Sequence, residues 1–305
     1  MTRTTANLLL LLAAIIWGVA FIFQKSALTH VGALTFVAGR SFIAALVLLP
    51  FAWVVSRSAE GRMTADQTLG LFKVGLVGGV LFFLGAILQQ VGLYTATVSN
   101  TGFLTGLYVV FTPLIAWALW RKRPSPIIWP AAALALVGTY LLGGGAFEGF
   151  GRGDVLVAIG AVFWAAHLLA TAGASQFPNA AFFTCVQFLT VGALALAGAS
   201  MTETITVAGL LGAWQEFLYV GVLSSALTFT LLTVAIKHTG TSEAAIIVSL
   251  EMVVAAAAAH VLLGERIGTI GAFGAALMFL AVVMIQVPGP FERFMGRRGA
   301  EATKP

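Results

Sequence analysis

Ten long apolar runs constrain the fold of this chain more than any other feature. A helix needs about 20 mostly apolar residues to cross a bilayer, and each run is close to that length. Glycine, proline and clusters of charge separate the runs, and the connections are too short to hold a soluble catalytic domain. We therefore predict an all-α membrane protein with ten transmembrane helices around a central cavity. The predicted helices lie near residues 6–28, 33–55, 69–92, 96–119, 127–146, 154–174, 180–199, 213–236, 240–263 and 267–287.

The composition indicates that lipid surrounds most of this surface. Of the 305 residues, 60% are hydrophobic and only 9% are charged, whereas about a quarter of a soluble domain is charged. A net charge of +5 also suits a nucleic-acid-binding protein. However, the basic residues lie between the apolar runs, so we expect a lipid bilayer and no nucleic acid as partner. With a single cysteine, Cys185, the chain cannot form an internal disulfide, and we expect no metal and no cofactor.

The distribution of Lys and Arg predicts the orientation of the chain. If the N-terminus is cytoplasmic, the cytoplasmic segments carry twelve Lys and Arg residues, and the opposite side carries only Lys25, Arg152 and Arg266. Positive residues concentrate on the cytoplasmic side of membrane proteins. We therefore expect a multi-pass protein of the cell inner (plasma) membrane with both termini in the cytoplasm.

The two halves of the chain resemble each other in sequence. The segment around Trp17 matches the segment around Trp164 at an offset of 147 residues. Further along, residues 99–128 lie over residues 242–271 without a gap at an offset of 143. Because each half holds five predicted helices, an odd number, the second half would enter the membrane in the opposite sense to the first.

This pattern predicts an inverted repeat. The first five-helix repeat covers residues 1–146, the second covers 147–288, and a basic cytoplasmic tail follows at 289–305. Inverted repeats are typical of secondary transporters, whose substrate site lies near the bilayer midplane between the two halves. The sequence therefore predicts a transporter of small molecules.

Two stretches carry a resemblance to a known family. They are "IIWGVAFIFQK" at 15–25 and "SLEMVVAAAAAHVLLGERIGTIGAFGAALMFLAVVMI" at 249–285. Together with the two five-helix halves, they resemble the drug/metabolite transporter superfamily in its EamA-type branch, over nearly the whole chain. The family often has proline after the first glutamate of the second stretch, where this chain has Met252. The resemblance implies ten helices around a central cavity, and the chain is similar to bacterial exporters of aromatic and other neutral amino acids.

Two charged residues lie inside predicted helices. Glu251 is about halfway along the ninth helix, where an acid costs roughly 3 kcal/mol on insertion scales, so we expect it to face the bundle interior. Two interpretations remain open: it binds a substrate amine or a proton, or it forms a buried hydrogen bond to a neighbouring helix. Arg40, in the second helix, either receives a substrate carboxylate or pairs structurally.

Two tryptophans occupy matching positions in the two halves. Trp17 and Trp164 lie about halfway along their helices, away from the helix ends where interfacial tryptophans form belts. In inverted halves they would face each other, so we interpret them as walls of a central cavity, with core packing as the alternative. Phe21 and His167 lie one turn further along and share that face; His167 either titrates or forms a structural hydrogen bond.

Other helices add polar side chains, which in lipid must point inward or bond to the backbone. Tyr108 stands out because the offset of 143 places it over Glu251. We predict no catalytic and no metal-ligating residues. The predicted substrate-binding residues are Trp17, Phe21, Arg40, Gln89, Asn100, Tyr108, Trp164, His167, Ser224 and Glu251.

Several functions are compatible with this sequence. The main hypothesis is a secondary transporter that exports small neutral amino acids, aromatic or apolar ones above all, or related metabolites by alternating access, either coupled to protons or as a uniporter. One alternative is an exporter of multiple drugs or cationic compounds. Others are an integral-membrane enzyme acting on a lipid-borne substrate, against which the missing hydrolase and nucleotide-binding motifs count, and an interaction subunit. The exact substrate, the direction of transport and the oligomeric state are not encoded in recognisable motifs.

The inverted repeat predicts that residues 122 and 265 lie on opposite sides of the membrane, because they occupy matching positions in the two halves. The test introduces Lys122→Cys and Glu265→Cys separately into a Cys185→Ala background and labels intact cells with an impermeant maleimide. We expect the reagent to label position 265 and to leave position 122 unlabelled until the membrane is permeabilised. Equal labelling of both positions from one side would contradict the inverted repeat.

Overall fold

The computed structural model describes residues 1–121, 126–142, 144–145, 151–266 and 268–286, and every regular element in these ranges is a helix. The predicted tail at 289–305 and the predicted boundary between residues 146 and 147 lie outside the described residues. In chain order the helices are α1 (Arg3–Ala27), α2 (Ala33–Arg57), α3 (Ala65–Gly92), α4 (Val98–Thr105), α5 (Tyr108–Trp120), α6 (Ile128–Leu142), α7 (Arg152–Ala174), α8 (Ala180–Thr202), α9 (Val207–Gly212), α10 (Trp214–Leu218), the π-helical segment π1 (Tyr219–Leu227), α11 (Thr228–Ile236), α12 (Thr241–Val248), α13 (Glu251–Leu263) and α14 (Thr269–Gln286).

Among the described residues, eight helical rods are long and apolar enough to cross a bilayer, and each is 23 to 28 residues long. Five rods are single helices, and three are composites: α4 with α5, α10 with π1 and α11, and α12 with α13. Two shorter apolar helices, α6 and α14, fall where the sequence predicts the fifth and tenth spans, and they pack against each other. Many large side chains exposed on the rods are apolar, such as Leu46 and Val261, which suits a surface that faces lipid.

Contacts between helix ends show in which direction the rods run. At one end of the bundle, which we call the Arg3 end, Arg3 pairs with Glu243 at 2.8 Å, so the beginnings of α1 and α12 meet there. At the other end, the Lys25 end, Lys25 Nζ donates to the carbonyls of Leu93 at 2.8 Å and Ala96 at 2.6 Å, just beyond the end of α3. Helix α1 therefore runs from the Arg3 end to the Lys25 end.

Helix α7, the first helix of the second half, runs the other way. It begins beside the end of α3, because a Cβ atom on Gly153 would lie 2.4 Å from the Gly92 carbonyl oxygen and 3.0 Å from the Ala96 nitrogen. Ala96 is one of the residues that Lys25 binds. The matching tryptophans therefore sit on helices that cross the bundle in opposite directions.

Two carboxylates bind helix N-termini at the Lys25 end. Glu203 accepts hydrogen bonds from the backbone nitrogens of Leu34 and Thr35, both at 2.8 Å, at the start of α2. Glu265 accepts a hydrogen bond from the nitrogen of Val98 at 3.3 Å, at the start of α4. A helix N-terminus carries unpaired N–H groups and a partial positive charge, so each carboxylate joins a loop of the second half to a helix of the first.

Two rods are interrupted at equivalent positions. Helix α4 gives way to α5 at Gly106 and Leu107, and α12 gives way to α13 at Ser249 and Leu250. The starts of both segments differ by the same 143 residues, from 98 to 241 and from 108 to 251. The predicted spans near 96–119 and 240–263 are both present, but the sequence did not predict the break within each of them. The break at 249–250 needs no proline. Backbone nitrogens there donate to the carbonyl three residues earlier instead of four, as in the hydrogen bond from Met252 N to Ser249 O at 3.1 Å.

The eighth span contains a π-helical segment, which the sequence did not predict. Such segments are rare and occur frequently at functional sites. In π1 the Ser224 carbonyl accepts hydrogen bonds from Trp17 Nε1 at 2.8 Å and from Thr228 Oγ1 at 2.6 Å. The Tyr219 hydroxyl donates to the Ile16 carbonyl at 3.1 Å. The segment is therefore fastened to the middle of α1.

Glycines let some of the rods approach closely. Helix α3 packs against α8 with Gly79 buried between them. A Cβ atom at this position would lie 2.5 Å from Thr190 Cβ and 2.9 Å from the Gln187 carbonyl oxygen. By contrast, a Cβ on Gly173 in α7 would meet nothing within 4 Å.

We predict that Gly79→Ala lowers the free energy of unfolding by about 1–3 kcal/mol, because the added methyl group forces α3 and α8 apart. The matched control is Gly173→Ala, which adds the same group to an open helical position and should leave stability unchanged or slightly increase it. Melting temperatures of the purified protein in one detergent give the comparison. Equal melting temperatures for the two variants would contradict the close α3–α8 contact.

Candidate functional site

A cavity lies inside the bundle, and residues of both halves of the chain line it. Nine of the ten predicted substrate-binding residues line it, and Asn100 does not. The lining also includes residues that the sequence did not single out: Gln24, Phe82, Thr105, Leu168, Phe229, Leu232 and Val248.

Aromatic rings form much of the cavity wall. Phe82 and Phe229 are in contact, with centroids 4.9 Å apart. Phe82 meets Trp164 edge to face at 4.8 Å, and Phe229 lies 4.8 Å from Trp17. The two matching tryptophans are therefore joined through two phenylalanines. Such pairs are worth about 0.5–1.5 kcal/mol beyond the area they bury, so the wall is well ordered.

Each tryptophan is also held by its indole nitrogen. Trp17 Nε1 donates to the Ser224 carbonyl in π1 at 2.8 Å, and Trp164 Nε1 donates to Gln89 Oε1 at 3.1 Å. Ser224 thus contributes its backbone carbonyl to the site. Because both rings are fixed at two places, by ring contacts and by a hydrogen bond, they present defined apolar surfaces to the cavity.

Arg40 is buried without a carboxylate partner. Its side chain is 4% exposed, yet Nε and Nη2 have no hydrogen-bond partner in the part of the chain that the structure describes. Its one hydrogen bond within the described residues joins Nη1 to Gln24 Oε1 at 3.5 Å, the limit for such a bond. The guanidinium carbon also lies 5.8 Å from the Phe36 ring centroid and 6.0 Å from that of Phe82. A buried cation normally has a paired anion, so this one lacks its usual compensation.

A chain of side-chain amides connects Arg40 to the aromatic wall. Gln24 Oε1 accepts from Arg40 and from Gln89 Nε2 at 3.2 Å, and Gln89 Oε1 accepts from Thr105 Oγ1 and Trp164 Nε1, both at 3.1 Å. Gln90 Nε2 donates to the Gln24 carbonyl at 2.8 Å. This network fixes the side chains around the guanidinium, and it leaves Nε and Nη2 without a hydrogen-bond partner among the described residues.

Glu251 and Tyr108 form a second polar region of the cavity. They are the first residues of α13 and α5, so each directly follows a helix break. The Tyr108 hydroxyl lies next to the Glu251 carboxyl, but no hydrogen bond of normal geometry joins them, and the hydroxyl is buried without a partner. Glu251 is 5% exposed, and its place in the first turn of α13 suits a carboxylate.

No described cation forms an ion pair with Glu251, since the one ion pair in the described ranges is between Arg3 and Glu243. Arg40 and Glu251 therefore line the same cavity without pairing with each other. One site thus contains a buried cation and a buried acid that each lack a charged protein partner.

The remaining polar residues have structural partners. Asn100 does not line the cavity; it lies at the Lys25 end, where its Nδ2 donates to Asp154 Oδ1 at 3.2 Å. His167 lines the cavity and bonds through Nε2 to Gln187 Oε1 at 2.9 Å. Within the described residues, no group of three or more His, Cys, Asp or Glu side chains is arranged to hold a metal ion.

If Arg40 is held in place for a ligand, its removal should not destabilise the empty protein. We predict that Arg40→Met raises the free energy of unfolding by roughly 1–4 kcal/mol, because Met fills similar space without the buried charge. Glu203→Gln is the comparison. The Glu203 carboxylate accepts hydrogen bonds at the start of α2, so this substitution should lower the free energy of unfolding. Melting temperatures without ligand give the result; a comparable loss in both variants would contradict an uncompensated charge at Arg40.

Comparisons with known proteins agree with this architecture. The sequence model of the EamA-like transporter family matches the chain twice, at residues 4–144 and 151–287. An uncharacterized transporter from Archaeoglobus fulgidus is 31% identical over 294 residues, which cover 93% of this chain and 87% of the relative. A solved crystal structure covers 93% of this chain and 96% of its own with a TM-score of 0.73 at 18% identity, which shows a shared fold. The resemblance seen in the sequence is confirmed: the protein is an integral membrane protein that belongs to the EamA-like transporter family.

Proposed function

We propose that this transporter exports small neutral amino acids, those with aromatic or large apolar side chains above all, or related metabolites. The observation that carries this proposal is the pair of uncompensated groups in one aromatic cavity. Arg40 has two unpaired guanidinium nitrogens, and Glu251 has no cationic partner among the described residues. A zwitterion supplies the missing charge to both.

The carboxylate of the substrate binds Arg40. A guanidinium presents its N–H groups in a planar fork that matches a carboxylate. Nε and Nη2, the two unpaired atoms, are the nitrogens on one edge of this fork and can bind both carboxylate oxygens. The effective cost of burying an unpaired ion is several kcal/mol, and a bound carboxylate offsets part of it. The empty site therefore favours an anionic group at this position.

The ammonium group of the substrate binds Glu251 and Tyr108. An ammonium has three N–H donors and no acceptor, so it can donate to the carboxylate and to the Tyr108 hydroxyl oxygen, which is without a partner. The side chain then occupies the aromatic part of the cavity, beside Trp17, Trp164 and Phe229. Each part of an amino acid has a matching region of the cavity.

A cation exporter is the second candidate within transport. Glu251 alone would suit a lipophilic cation, but Arg40 lines the same cavity and repels one. A monovalent organic cation would leave Arg40 unpaired and add a like charge beside it. The charge pattern therefore favours a zwitterion, and the transport assay below separates the two candidates.

Alternating access follows from the proposed inverted repeat. We infer ten membrane helices, in which α6 and α14 complete two five-helix halves of opposite orientation with both termini in the cytoplasm. Three observations support this: the two family matches, the opposite directions of α1 and α7, and the interrupted rods whose boundaries differ by 143 residues. Rocking of one half against the other would expose the cavity to each side in turn.

Proton coupling would act through Glu251. If the carboxyl group binds either a proton or the substrate ammonium, but not both, substrate leaves in one direction as a proton returns in the other. This exchange would couple export to the proton gradient across the inner membrane. Without it, the same cavity would act as a uniporter.

The test uses proteoliposomes loaded with labelled phenylalanine, with and without an inward proton gradient. We expect saturable efflux that the gradient accelerates. Phenylpropionate, which lacks the amine, and phenethylamine, which lacks the carboxylate, should inhibit at least about tenfold more weakly than phenylalanine, because each loses one charge contact.

Two variants assign the roles. Arg40→Met should abolish phenylalanine transport while the protein stays folded. Glu251→Gln should abolish the response to the proton gradient, and Gly173→Ala should match the wild type. If no zwitterion is transported, the amino-acid proposal fails. If phenethylamine is transported best and Arg40→Met retains activity, the protein is a cation exporter.

A further inference from the structure

His167 has features that binding of the substrate's carboxylate and ammonium groups does not explain. Its side chain is 2% exposed and lies on α7 in the wall of the cavity. Its ring meets Phe82 at 5.3 Å, Phe229 at 5.6 Å and Trp164 at 6.0 Å between centroids, all edge to face. His167 is thus the polar member of the aromatic cluster, in the part of the cavity that would receive a substrate side chain.

The neighbours of His167 determine which ring nitrogen carries hydrogen. Nε2 lies 2.9 Å from Gln187 Oε1, which can only accept a hydrogen bond. Nε2 also lies 3.5 Å from Thr171 Oγ1. The Thr171 hydroxyl donates its one hydrogen to the His167 carbonyl at 3.0 Å, so it faces Nε2 with a lone pair. Both neighbours face Nε2 with acceptor atoms in this structure, an arrangement that favours the tautomer with hydrogen on Nε2.

In a neutral imidazole with hydrogen on Nε2, Nδ1 is an acceptor. Among the described residues, the hydrogen-bonding contacts of this ring all use Nε2. Nδ1 has no hydrogen-bond partner among the described residues. Since His167 lines the cavity, this acceptor is the atom of the ring that a ligand there could use.

Phe82 links His167 to the position proposed for the substrate carboxylate. The Phe82 centroid lies 6.0 Å from the Arg40 guanidinium carbon and 5.3 Å from the His167 centroid. A ligand whose carboxylate binds Arg40 can therefore extend along Phe82 and bring the far end of its side chain to His167. An indole N–H or a phenol O–H is the donor that an aromatic amino acid carries at that end.

We propose that His167 Nδ1 accepts a hydrogen bond from the side chain of the substrate, so that the transporter selects aromatic amino acids with an N–H or O–H donor over purely hydrocarbon ones. This inference rests on the proposed function and names a narrower substrate class, the indole- and phenol-bearing amino acids. A ligand without a donor would leave His167 Nδ1 buried and unpaired, and it should therefore bind more weakly than a ligand that donates a hydrogen bond to this atom.

The test compares tryptophan with 3-benzothienylalanine, in which sulfur replaces the indole N–H at nearly the same shape. Both compete against labelled tryptophan in proteoliposomes that contain the wild-type protein. We expect benzothienylalanine to inhibit about tenfold more weakly, the effect of one hydrogen bond. Equal inhibition by the two compounds overturns the inference, whatever any variant does.

His167→Phe assigns the effect to this residue, since it keeps an aromatic ring and removes the acceptor. The ratio between the two inhibitors should fall to about one in this variant, because both compounds then bind without the acceptor. Gly173→Ala, on the same helix, is the matched control and should keep the wild-type ratio. An unchanged ratio in His167→Phe overturns the role of His167.

The same assay distinguishes the two proposals. If the wild type transports phenylalanine but does not discriminate between tryptophan and benzothienylalanine, only the selectivity fails. If the wild type transports no amino acid, the proposed function fails and the selectivity fails with it. If His167→Phe does not fold, the wild-type comparison alone decides.

Discussion

The structure depends on one constraint: inside a bilayer, every backbone N–H and C=O group needs a partner within the protein. Continuous helices satisfy this along most of the chain, which is why every described element is helical. Departures from the regular α-helix are tolerated in a membrane where the chain is buried or lines a cavity. The breaks at 106–107 and 249–250 and the π-helical segment all occur beside the cavity.

These departures determine what the cavity contains. The two breaks place Tyr108 and Glu251 at the starts of new helices, at matching positions of the two halves. The π-helical segment presents the Ser224 carbonyl to Trp17. Arg40 needs no break, and it is fixed instead by Gln24 and by the Phe36 and Phe82 rings. Irregular backbone and a buried amide network together produce a site whose charged groups lack an oppositely charged partner among the described residues.

Much of this could be predicted from the sequence, because the cost of burying charge in lipid is large. Glu251 and Arg40 were recognisable for that reason, and Trp17 and Trp164 because they recur in both halves. Gln24 carries the same signal, an amide in an apolar run, and the same argument would have selected it. Asn100 lies outside the cavity lining, beside Asp154 at the Lys25 end, and the sequence does not show this because it gives an amide in a helix but not its depth.

Other features had no sequence signal. Phe82 and Phe229 are two of 23 phenylalanines, and nothing in the sequence distinguishes rings that face the cavity from rings that face lipid. The break before Glu251 forms without proline, so only tertiary packing determines it. The most direct measurement of the central claim is an experimental structure with a bound neutral amino acid. The account predicts its carboxylate within about 3.2 Å of Arg40 Nε or Nη2; a ligand bound elsewhere, with Arg40 paired to a carboxylate of the protein, would contradict it.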